Sequence, residues 1–440
     1  MKTVAFHNLG CKVNDYEMDI MQQKFTENDF LVVPFDQKAD VYVINTCTVT
    51  NIADRKSRQM LHRAKKENPD SVVIAVGCYV QTSPEAAAKD ECIDIAIGNN
   101  RKADIIEILN RYYEEKEHKT CSDIIDINKT DVYESMFLEK TAERTRAYIK
   151  IQDGCNQFCS YCLIPFARGR SRSRDMEDIL KEIDGLSKAG YKEFVLTGIH
   201  VSSYGVSGTA DFKDNRLADL LEAINRLPGV LRIRLSSLEP RVMTEEFVKR
   251  ISALEKLCPH FHLSLQSGCD ETLKRMNRHY TAEEYRKGVE LLRKYFDAPA
   301  ITTDIIAGFP GETEADFEAC YEFVKSIGFY ETHIFKYSRR KGTVADRLPD
   351  QLTDAEKTKR SHRLIELTKE NSKAFRESYL GKTRPVLFEE RAEVCGKEYL
   401  VGHTPEYIRV CVDTSEVLEN EIREVSLSKL LDDENVLGFV

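Results

Sequence analysis

Between about residue 144 and residue 340, short β-branched runs alternate six times with amphipathic stretches. The predicted strands fall at residues 147–153, 193–198, 232–237, 261–266, 301–307 and 331–337. A strand followed by a helix, repeated in series, builds parallel strands, so six repeats predict a partial (β/α)6 barrel of the TIM type. The loops that follow the strands carry the chemistry in such barrels. We therefore expect a functional site at the carboxyl ends of these strands.

A second α/β pattern precedes the barrel. Apolar runs at residues 3–6, 30–33, 40–44 and 71–76 do not alternate with polar residues, and helical spacing separates them. This pattern predicts a parallel sheet covered on both faces, an N-terminal α/β sandwich over residues 1–112. Asn14 and Glu17 have the spacing of an N-cap and its capping-box partner. The charged, broken stretch 113–143 is interpreted as a linker to the barrel domain, residues 144–350.

The pattern changes again near the C-terminus. Thr353 and Glu356 predict a capping box that opens a connecting helix over residues 351–379. Short strands are then predicted at residues 386–388, 399–401, 407–412 and 436–439. They indicate a small β-barrel over residues 380–440. The expected fold class is thus α/β, with a small β-barrel appended.

The chain has 13 cysteines in 440 residues and a formal net charge of −9. It contains no run of 18 apolar residues and no apolar N-terminal region typical of a signal peptide, so we expect a cytoplasmic protein without a membrane partner. Thiols stay reduced in that compartment. An odd number of them favours metal binding or catalysis over a disulfide framework.

Three cysteines cluster just after the first predicted barrel strand. Cys155, Cys159 and Cys162 have the spacing C-x3-C-x2-C. Three thiolates so close together can hold three corners of an iron–sulfur cube and leave one iron open. A structural zinc site would need a fourth ligand, and no Cys or His follows before His200. A zinc knuckle with a distant fourth ligand is the alternative.

The residues around this triplet extend the pattern. Residues 154–165 and 168–174, then 265–268 and 304–313, resemble in order the motifs of the tRNA methylthiotransferases, a family of S-adenosylmethionine (SAM) radical enzymes. The resemblance implies a 4Fe-4S cluster on the triplet whose open iron binds SAM. One electron would then cleave SAM to a 5′-deoxyadenosyl radical. The resemblance also implies SAM contacts at Thr197, Gly198, Ser236, Glu239, Gln266 and Arg278.

A second triplet follows from topology. Cys11, Cys47 and Cys78 each follow a predicted N-terminal strand, and the ends of parallel strands meet at one edge of the sheet. Any one of them alone would be interpreted as a buried structural thiol. The resemblance implies that together they hold a second 4Fe-4S cluster, which carries the sulfur for transfer. The other seven cysteines show no paired spacing and are interpreted as ordinary thiols.

Basic segments indicate where an RNA would lie. Residues 55–66 hold six Lys or Arg and no acid, and further basic runs occur at 168–174 and 339–341. Arg168 and Arg170 are therefore candidate RNA contacts. Arg339 and Arg340 are candidates for holding a substrate carboxylate. By contrast, residues 380–440 hold 7 Lys or Arg against 13 Asp or Glu, a net charge of −6. This barrel resembles the RNA-associated TRAM domain, but its charge argues against a strong electrostatic contact.

Short differences favour one subgroup. Residues 10–14, followed by Tyr16 and Glu17, and residues 236–240 resemble the group acting on N6-threonylcarbamoyladenosine at position 37 of tRNA. Methylthiolation of N6-isopentenyladenosine is the alternative within the family. A non-catalytic iron–sulfur redox sensor that binds RNA and a zinc-stabilised RNA-binding protein are the alternatives outside it. Such an enzyme would need an electron donor, such as a flavodoxin or ferredoxin, and a sulfur donor that the sequence does not identify.

Overall fold

The computed structural model describes residues 1–115, 121–139, 145–206 and 216–440. Its N-terminal domain is a parallel sheet of six strands in the order β2-β1-β3-β4-β5-β6. These strands are β1 (Lys2–Asn8), β2 (Phe30–Val33), β3 (Val41–Thr46), β4 (Val72–Gly77), β5 (Ile95–Ile97) and β6 (Cys121–Asp123). The helices are α1 (Lys12–Glu27), α2 (Asn51–Glu67), α3 (Cys78–Thr82), α4 (Pro84–Ala88) and α5 (Ile105–Glu114).

Apolar cores lie on both faces of this sheet. One core packs α1 and α5 against the sheet, and the other packs α2, α3 and α4 against the opposite face. The strands β3 and β4 are buried along their whole length. The predicted α/β sandwich is thus confirmed. The sixth strand, β6, comes from the segment interpreted as a linker and pairs with β5. The charged run 116–120 within that segment lies outside the described residues.

The predicted start of α1 was wrong. The helix begins at Lys12 with Cys11 as its N-cap, so Asn14 and Glu17 lie inside the first turns and are buried. The Asn14 amide donates to the carbonyl oxygens of Leu9 (2.6 Å) and Thr46 (3.2 Å). Asn14 therefore ties the loop after β1 to the end of β3 and leaves the helix N-terminus uncapped by its side chain.

The central domain contains the six predicted parallel strands. They are β7 (Arg146–Asp153), β9 (Glu193–Gly198), β10 (Arg232–Leu235), β11 (His260–His262), β12 (Ala300–Ala307) and β13 (Glu331–Lys336), with β8 (Arg172–Ser173) antiparallel to β7. The helices are α6 (Ile164–Ala167), α7 (Met176–Lys188), α8 (Leu217–Asn225), α9 (Glu245–Ser252), α10 (Asp270–Arg275), α11 (Ala282–Tyr295) and α12 (Glu314–Ile327).

These strands form a partial barrel. Two sheets, β10-β9-β7-β8 and β11-β12-β13, are joined by isolated bridges such as Leu238 to Leu263. Within the described part of the chain, β7 and β13 are not paired, so the barrel stays open on one side. A single apolar core fills the space between strands and helices, and α1 of the N-terminal domain packs against β7 and β9.

The C-terminal part follows a long helix, α13 (Asp354–Glu377). The predicted capping box is present. The Thr353 hydroxyl accepts from the backbone amide of Glu356, and the Glu356 carboxylate accepts from the backbone amide of Thr353. A closed barrel follows, in the order β14-β15-β16-β18-β17. Its strands are β14 (Thr383–Val394), β15 (Lys397–His403), β16 (Arg409–Val412), β17 (Ile422–Leu430) and β18 (Asn435–Phe439).

This small barrel is attached to the starts of the central strands. Arg146 at the start of β7 pairs with Glu389 (3.0 Å), and Arg232 at the start of β10 donates to the carbonyl oxygens of His403 and Pro385. The cysteines of the site follow the opposite, carboxyl ends. None of the described helices is both long and apolar enough to cross a membrane.

Candidate active site at two cysteine triplets

The central triplet lies on the loop that leaves β7. Cys155, Cys159 and Cys162 are each partly exposed and face the same space. Each sulfur accepts one hydrogen bond. The backbone amide of Gln157 donates to Cys155 (3.5 Å), the Arg278 guanidinium to Cys159 (3.3 Å) and the backbone amide of Ile164 to Cys162 (3.4 Å). Burial raises the pKa of Cys155 to about 12, and the neighbouring Cys159 adds to this. A thiolate here needs positive charge close by, which a bound metal centre would supply.

Gly154 fixes the direction of this loop. Its φ is +71°, and a Cβ atom at this position would lie 1.9 Å from the carbonyl oxygen of Arg170. Only glycine allows the backbone to pass so close at this angle. The bend therefore directs the triplet away from β7 and into the cavity above the strands.

The N-terminal triplet is brought together as the topology predicted. Cys11 is the N-cap of α1, Cys47 follows β3 and Cys78 begins α3 directly after β4. A Cβ atom on Gly10 would lie 3.3 Å from the Cys47 sulfur, so the first two loops touch. Burial raises the pKa of Cys47 to about 11, and the nearby Cys78 and Cys11 raise it further. The Asn99 amide donates to the Cys78 sulfur at 3.5 Å.

A buried group of charges joins the two triplets. Arg168, which follows the central triplet on the same loop, donates to Glu17 (2.8 Å), Asp153 (3.2 Å) and Asn14 (2.6 Å). Lys102 and Lys150 also bind Glu17. Burial opposes ionisation, but Arg168, Lys102 and Lys150 hold the pKa of Glu17 well below its usual value. These contacts fix α1 against β7 and the cluster loop.

The predicted basic surface at residues 168–174 is therefore corrected. Arg168 is 1% exposed and pairs with Glu17 and Asp153, so it cannot contact an RNA. Arg172 donates to the Arg168 carbonyl oxygen, and Arg174 pairs with Glu182 in the core. Only Arg170 is exposed, with its guanidinium 4.4 Å from the centre of the Phe158 ring. The sequence shows the charge of these residues but not their buried partners.

A cavity of about 340 Å³, here called the chamber, opens above the barrel. Its lining includes the central triplet together with Val49 and Thr50, which follow Cys47. Of the predicted SAM contacts, Glu239, Gln266 and Arg278 line the chamber. Thr197, Gly198 and Ser236 do not, although their chain neighbours Ile199 and Ser237 do. Gln266 adopts φ +69°, a strained backbone for a residue other than glycine.

The two arginines proposed for a carboxylate differ. Arg339 is 60% exposed and pairs with Asp346. Arg340 is buried, and it donates to the hydroxyl of Thr48 (2.9 Å) and pairs with Asp54. The prediction that Arg340 receives a substrate carboxylate is thereby corrected, because Asp54 already neutralises its charge. Arg340 instead joins β13 to the loop that carries Cys47.

Comparison with known proteins agrees with this arrangement. The Radical SAM superfamily profile matches residues 149–324, and that of Uncharacterized protein family UPF0004 matches residues 3–98. Threonylcarbamoyladenosine tRNA methylthiotransferase MtaB of Bacillus subtilis (strain 168) is 42% identical over 98% of this chain and 94% of its own. The chain belongs to the tRNA methylthiotransferase family.

Two further relatives define the range of this similarity. A tRNA-2-methylthio-N(6)-dimethylallyladenosine synthase of Clostridium botulinum (strain Loch Maree / Type A3) is 36% identical over 86% of this chain and 84% of its own. The radical SAM methyltransferase TsrM of Kitasatospora setae has a TM-score of 0.57 at 16% identity, covering 76% of this chain and 73% of its own, which shows a shared fold. The family is enzymatic, so the non-catalytic sensor and the zinc protein are no longer favoured.

The cofactors of a radical SAM methylthiotransferase are SAM and 4Fe-4S clusters, and the donor set fits them. Each triplet offers three thiols, and no fourth cysteine lines the chamber among the described residues. Three thiolates match three irons of a cube and leave the fourth iron for another ligand. The prediction that each triplet supplies three of the four ligands of a 4Fe-4S cluster thus agrees with the chemistry that the family requires.

Several chamber residues were missed from the sequence. His200 and Ser264 follow central strands, Asp304 lies within β12 and Lys336 ends β13, and all four line the chamber. Burial and the nearby Arg278 and Arg241 lower the pKa of His200 to about 3, so its imidazole is neutral at physiological pH. A position in or just after a predicted strand was the available signal, but it does not distinguish a functional side chain from a structural one.

Proposed function

We propose that this methylthiotransferase adds a methylthio group to C2 of N6-threonylcarbamoyladenosine at position 37 of tRNA. The observation that carries the proposal is that one chamber is lined by the central triplet and by Val49 and Thr50, which follow Cys47 of the N-terminal triplet. The subgroup is supported by the 42% identity to the Bacillus subtilis enzyme over nearly the whole chain. Methylthiolation of an isopentenyl-type adenosine is the alternative, since a relative of that name is 36% identical.

Cys155, Cys159 and Cys162 hold the cluster that binds SAM. When bound, this cluster supplies the electron that cleaves SAM to a 5′-deoxyadenosyl radical, a reaction of the cofactor rather than of the protein. Glu239, Gln266 and Arg278 hold SAM from the chamber wall, supported by the Thr197, Gly198 and Ser236 strand ends beneath it. The Arg278 guanidinium donates to the Cys159 sulfur at 3.3 Å and so joins the chamber wall to the cluster loop.

Cys11, Cys47 and Cys78 hold the second cluster, from which the sulfur is transferred. Asn99 donates both to the Cys78 sulfur and to the carbonyl oxygen of Ala167 (2.7 Å), on the loop of the first triplet. These hydrogen bonds and the buried Arg168 hold the two cysteine triplets at fixed positions relative to each other. Fixed positions matter because reacting groups must be held in place for a radical to be used productively.

The substrate enters from the side where Arg170 and Arg339 are exposed. The target adenine leaves its stack, because its C2 edge is otherwise covered. Arg339 binds the threonyl carboxylate in place of Asp346, because its side chain is 60% exposed and can turn toward solvent, whereas that of the buried Arg340 cannot. Exposed Arg55, Lys56 and Arg58 on α2 face solvent and supply phosphate contacts.

The reaction consumes electrons and sulfur. A flavodoxin or a ferredoxin is the proposed electron donor, because SAM cleavage takes one electron at a time. The cytoplasm is the proposed compartment, where tRNA and such donors occur together.

Nucleoside mass spectrometry of tRNA tests the function. Cells that lack the protein should lose 2-methylthio-N6-threonylcarbamoyladenosine and accumulate its precursor, and the intact gene should restore it. Loss of the methylthio group from isopentenyladenosine instead would favour the alternative substrate. Unchanged levels of both nucleosides would contradict the proposal.

A further inference from the structure

A second cavity lies beside the chamber and has no assigned role. It has a volume of about 540 Å³, within the range of ligand pockets, and we call it the lateral cavity. Its lining comes from five segments: the start of α2, the end of α3, residues 126–128, α6 with the preceding Leu163, and residues 340–342. The lateral cavity therefore lies next to the loops of both cysteine triplets.

The chamber and the lateral cavity share one wall. Thr50 and Ser338 line the chamber, whereas Asn51, which follows Thr50, and Arg340, two residues after Ser338, line the lateral cavity. Two hydrogen bonds hold this wall. The backbone amide of Asn51 donates to the Ser338 hydroxyl (3.3 Å), and the side-chain amide of Asn51 donates to the Arg339 carbonyl oxygen (2.9 Å). Two groups bound on either side of this wall would be near neighbours.

The lining of the lateral cavity suits a nucleobase. Phe166 is 50% exposed, which leaves a ring face free for stacking. Asp126 and Asn128 are exposed and offer an acceptor and an amide to the edge of a base. Lys341 is exposed at the rim, where a phosphate would pass.

We propose that the lateral cavity binds the base of a nucleotide that flanks the target adenosine in the RNA. This inference rests on the proposed function, which places the target adenosine in the chamber. The flanking base stacks on Phe166 and its edge bonds to Asn128, while Lys341 contacts the backbone between the two nucleotides. Recognition of single-stranded loops through unstacked bases on aromatic side chains is the usual way in which proteins read RNA sequence.

Binding of defined RNAs to the cluster-loaded enzyme tests the proposal. The probes are anticodon stem-loops that contain the modified adenosine, each with one abasic site at a different loop position, and fluorescence anisotropy gives the Kd. For wild type, one abasic site next to the target should raise the Kd about tenfold, as expected for one lost stacked base. Phe166→Ala should raise the Kd of the intact RNA by a similar factor, and the same abasic site should then have little further effect.

Controls make the experiment decisive. Phe166→Tyr should restore the wild-type Kd, and Asn128→Ala gives a second variant if Phe166→Ala fails to load its clusters. Phe137→Ala removes a ring that is 36% exposed and contacts Lys181, so it should leave the Kd unchanged. The proposal would be overturned if every abasic site raised the Kd by the same factor and did so equally in wild type, Phe166→Ala and Asn128→Ala. It would also be overturned if the effect of Phe166→Ala on the Kd depended on the threonylcarbamoyl group of the RNA and not on the flanking base.

The two proposals can fail separately. Wild-type enzyme that forms the methylthio product from the stem-loop but shows no coupling of Phe166 to a flanking base would overturn the lateral-cavity proposal alone. Wild-type enzyme that forms no methylthio product from the same RNA would overturn the proposed function, and with it the inference that depends on it.

Discussion

At the scale of single residues, buried charges connect the two halves of the site. Arg168 lies on the loop of one triplet, and its guanidinium is bound by Glu17 and Asn14 from the helix that begins next to Cys11. Such a group is costly to bury and is tolerated only when each charge is paired. Its position explains why a positively charged loop residue is not available to the RNA.

Arg168→Ala should therefore destabilise the protein strongly. Removing Arg168 takes one cation from a buried ionic group and should cost about 3 kcal/mol of unfolding free energy, the lower end for a broken buried pair, because Lys102 and Lys150 still bind Glu17 and Lys150 still binds Asp153. Chemical denaturation measures this loss. Arg170→Ala, a matched change at the exposed ring contact, should cost at most about 1 kcal/mol. Equal costs for the two variants would contradict the buried role of Arg168.

His200 predicts a pH dependence of stability. Its folded pKa of about 3 is below the unfolded value, so the unfolded chain binds the extra proton between these two values. Stability is retained above the unfolded pKa and is lost as the pH falls below it. Between pH 7.5 and pH 5.5, wild type should lose about 1 kcal/mol more unfolding free energy than His200→Gln. Parallel pH profiles for the two proteins would show that His200 is not buried as described.

At the scale of elements, strand order and loop position were predictable, whereas helix starts and edge strands were not. All six central strands were predicted, although β11 ends at His262 rather than at residue 266, and β10 and β13 carry charged residues among their apolar ones. β17 was missed because only Val425 and Leu427 of its nine residues are buried, and exposed polar residues such as Glu424 and Ser426 stand next to them. β6 was missed because a strand of three residues with one serine and one aspartate carries almost no apolar pattern. The start of α1 was misplaced because asparagine often caps helices, whereas the Asn14 side chain donates to carbonyl oxygens outside the helix, those of Leu9 and Thr46.

The loop after β7 gives a prediction at this scale. Gly154→Ala should disrupt the central triplet, because a Cβ atom there would collide with the Arg170 carbonyl oxygen. Iron content after reconstitution should fall to about half, corresponding to the loss of one 4Fe-4S cube. Gly185→Ala in α7 is the matched control, since a Cβ atom there meets nothing within 4 Å. Full iron content in Gly154→Ala would contradict the assigned role of this bend.

At the scale of the whole molecule, charge is distributed unevenly. The chain is negative overall, and the C-terminal barrel, with 7 basic and 13 acidic residues, sits at the starts of the central strands. Exposed basic residues of α2 follow the loop of Cys47, at the other end. The sequence could reveal the acidic barrel and the basic helix separately. Only the folded arrangement shows that Arg168, Arg172 and Arg174 are buried and do not add to the basic surface, and the partner of Arg168, Glu17, is 151 residues away in the chain.

RNA binding should therefore depend on α2 more than on the acidic barrel. Lys56→Ala should weaken tRNA binding and reduce the slope of log K against log salt by about one, as for one lost phosphate contact. Lys382→Ala removes an exposed lysine from the barrel and should leave the slope unchanged. Measuring the Kd across a salt series separates the two, and a larger change for Lys382 would show that the barrel holds the RNA.

The central claim is that the two cysteine triplets have different tasks, and Cys47→Ala tests it most directly. Purified enzyme is incubated with SAM, a reductant and tRNA, and mass spectrometry follows 5′-deoxyadenosine and the methylthio nucleoside together. Cys47→Ala should form 5′-deoxyadenosine without the methylthio nucleoside, Cys155→Ala should form neither, and the exposed Cys395→Ala should form both. Methylthio product from Cys47→Ala would contradict the account.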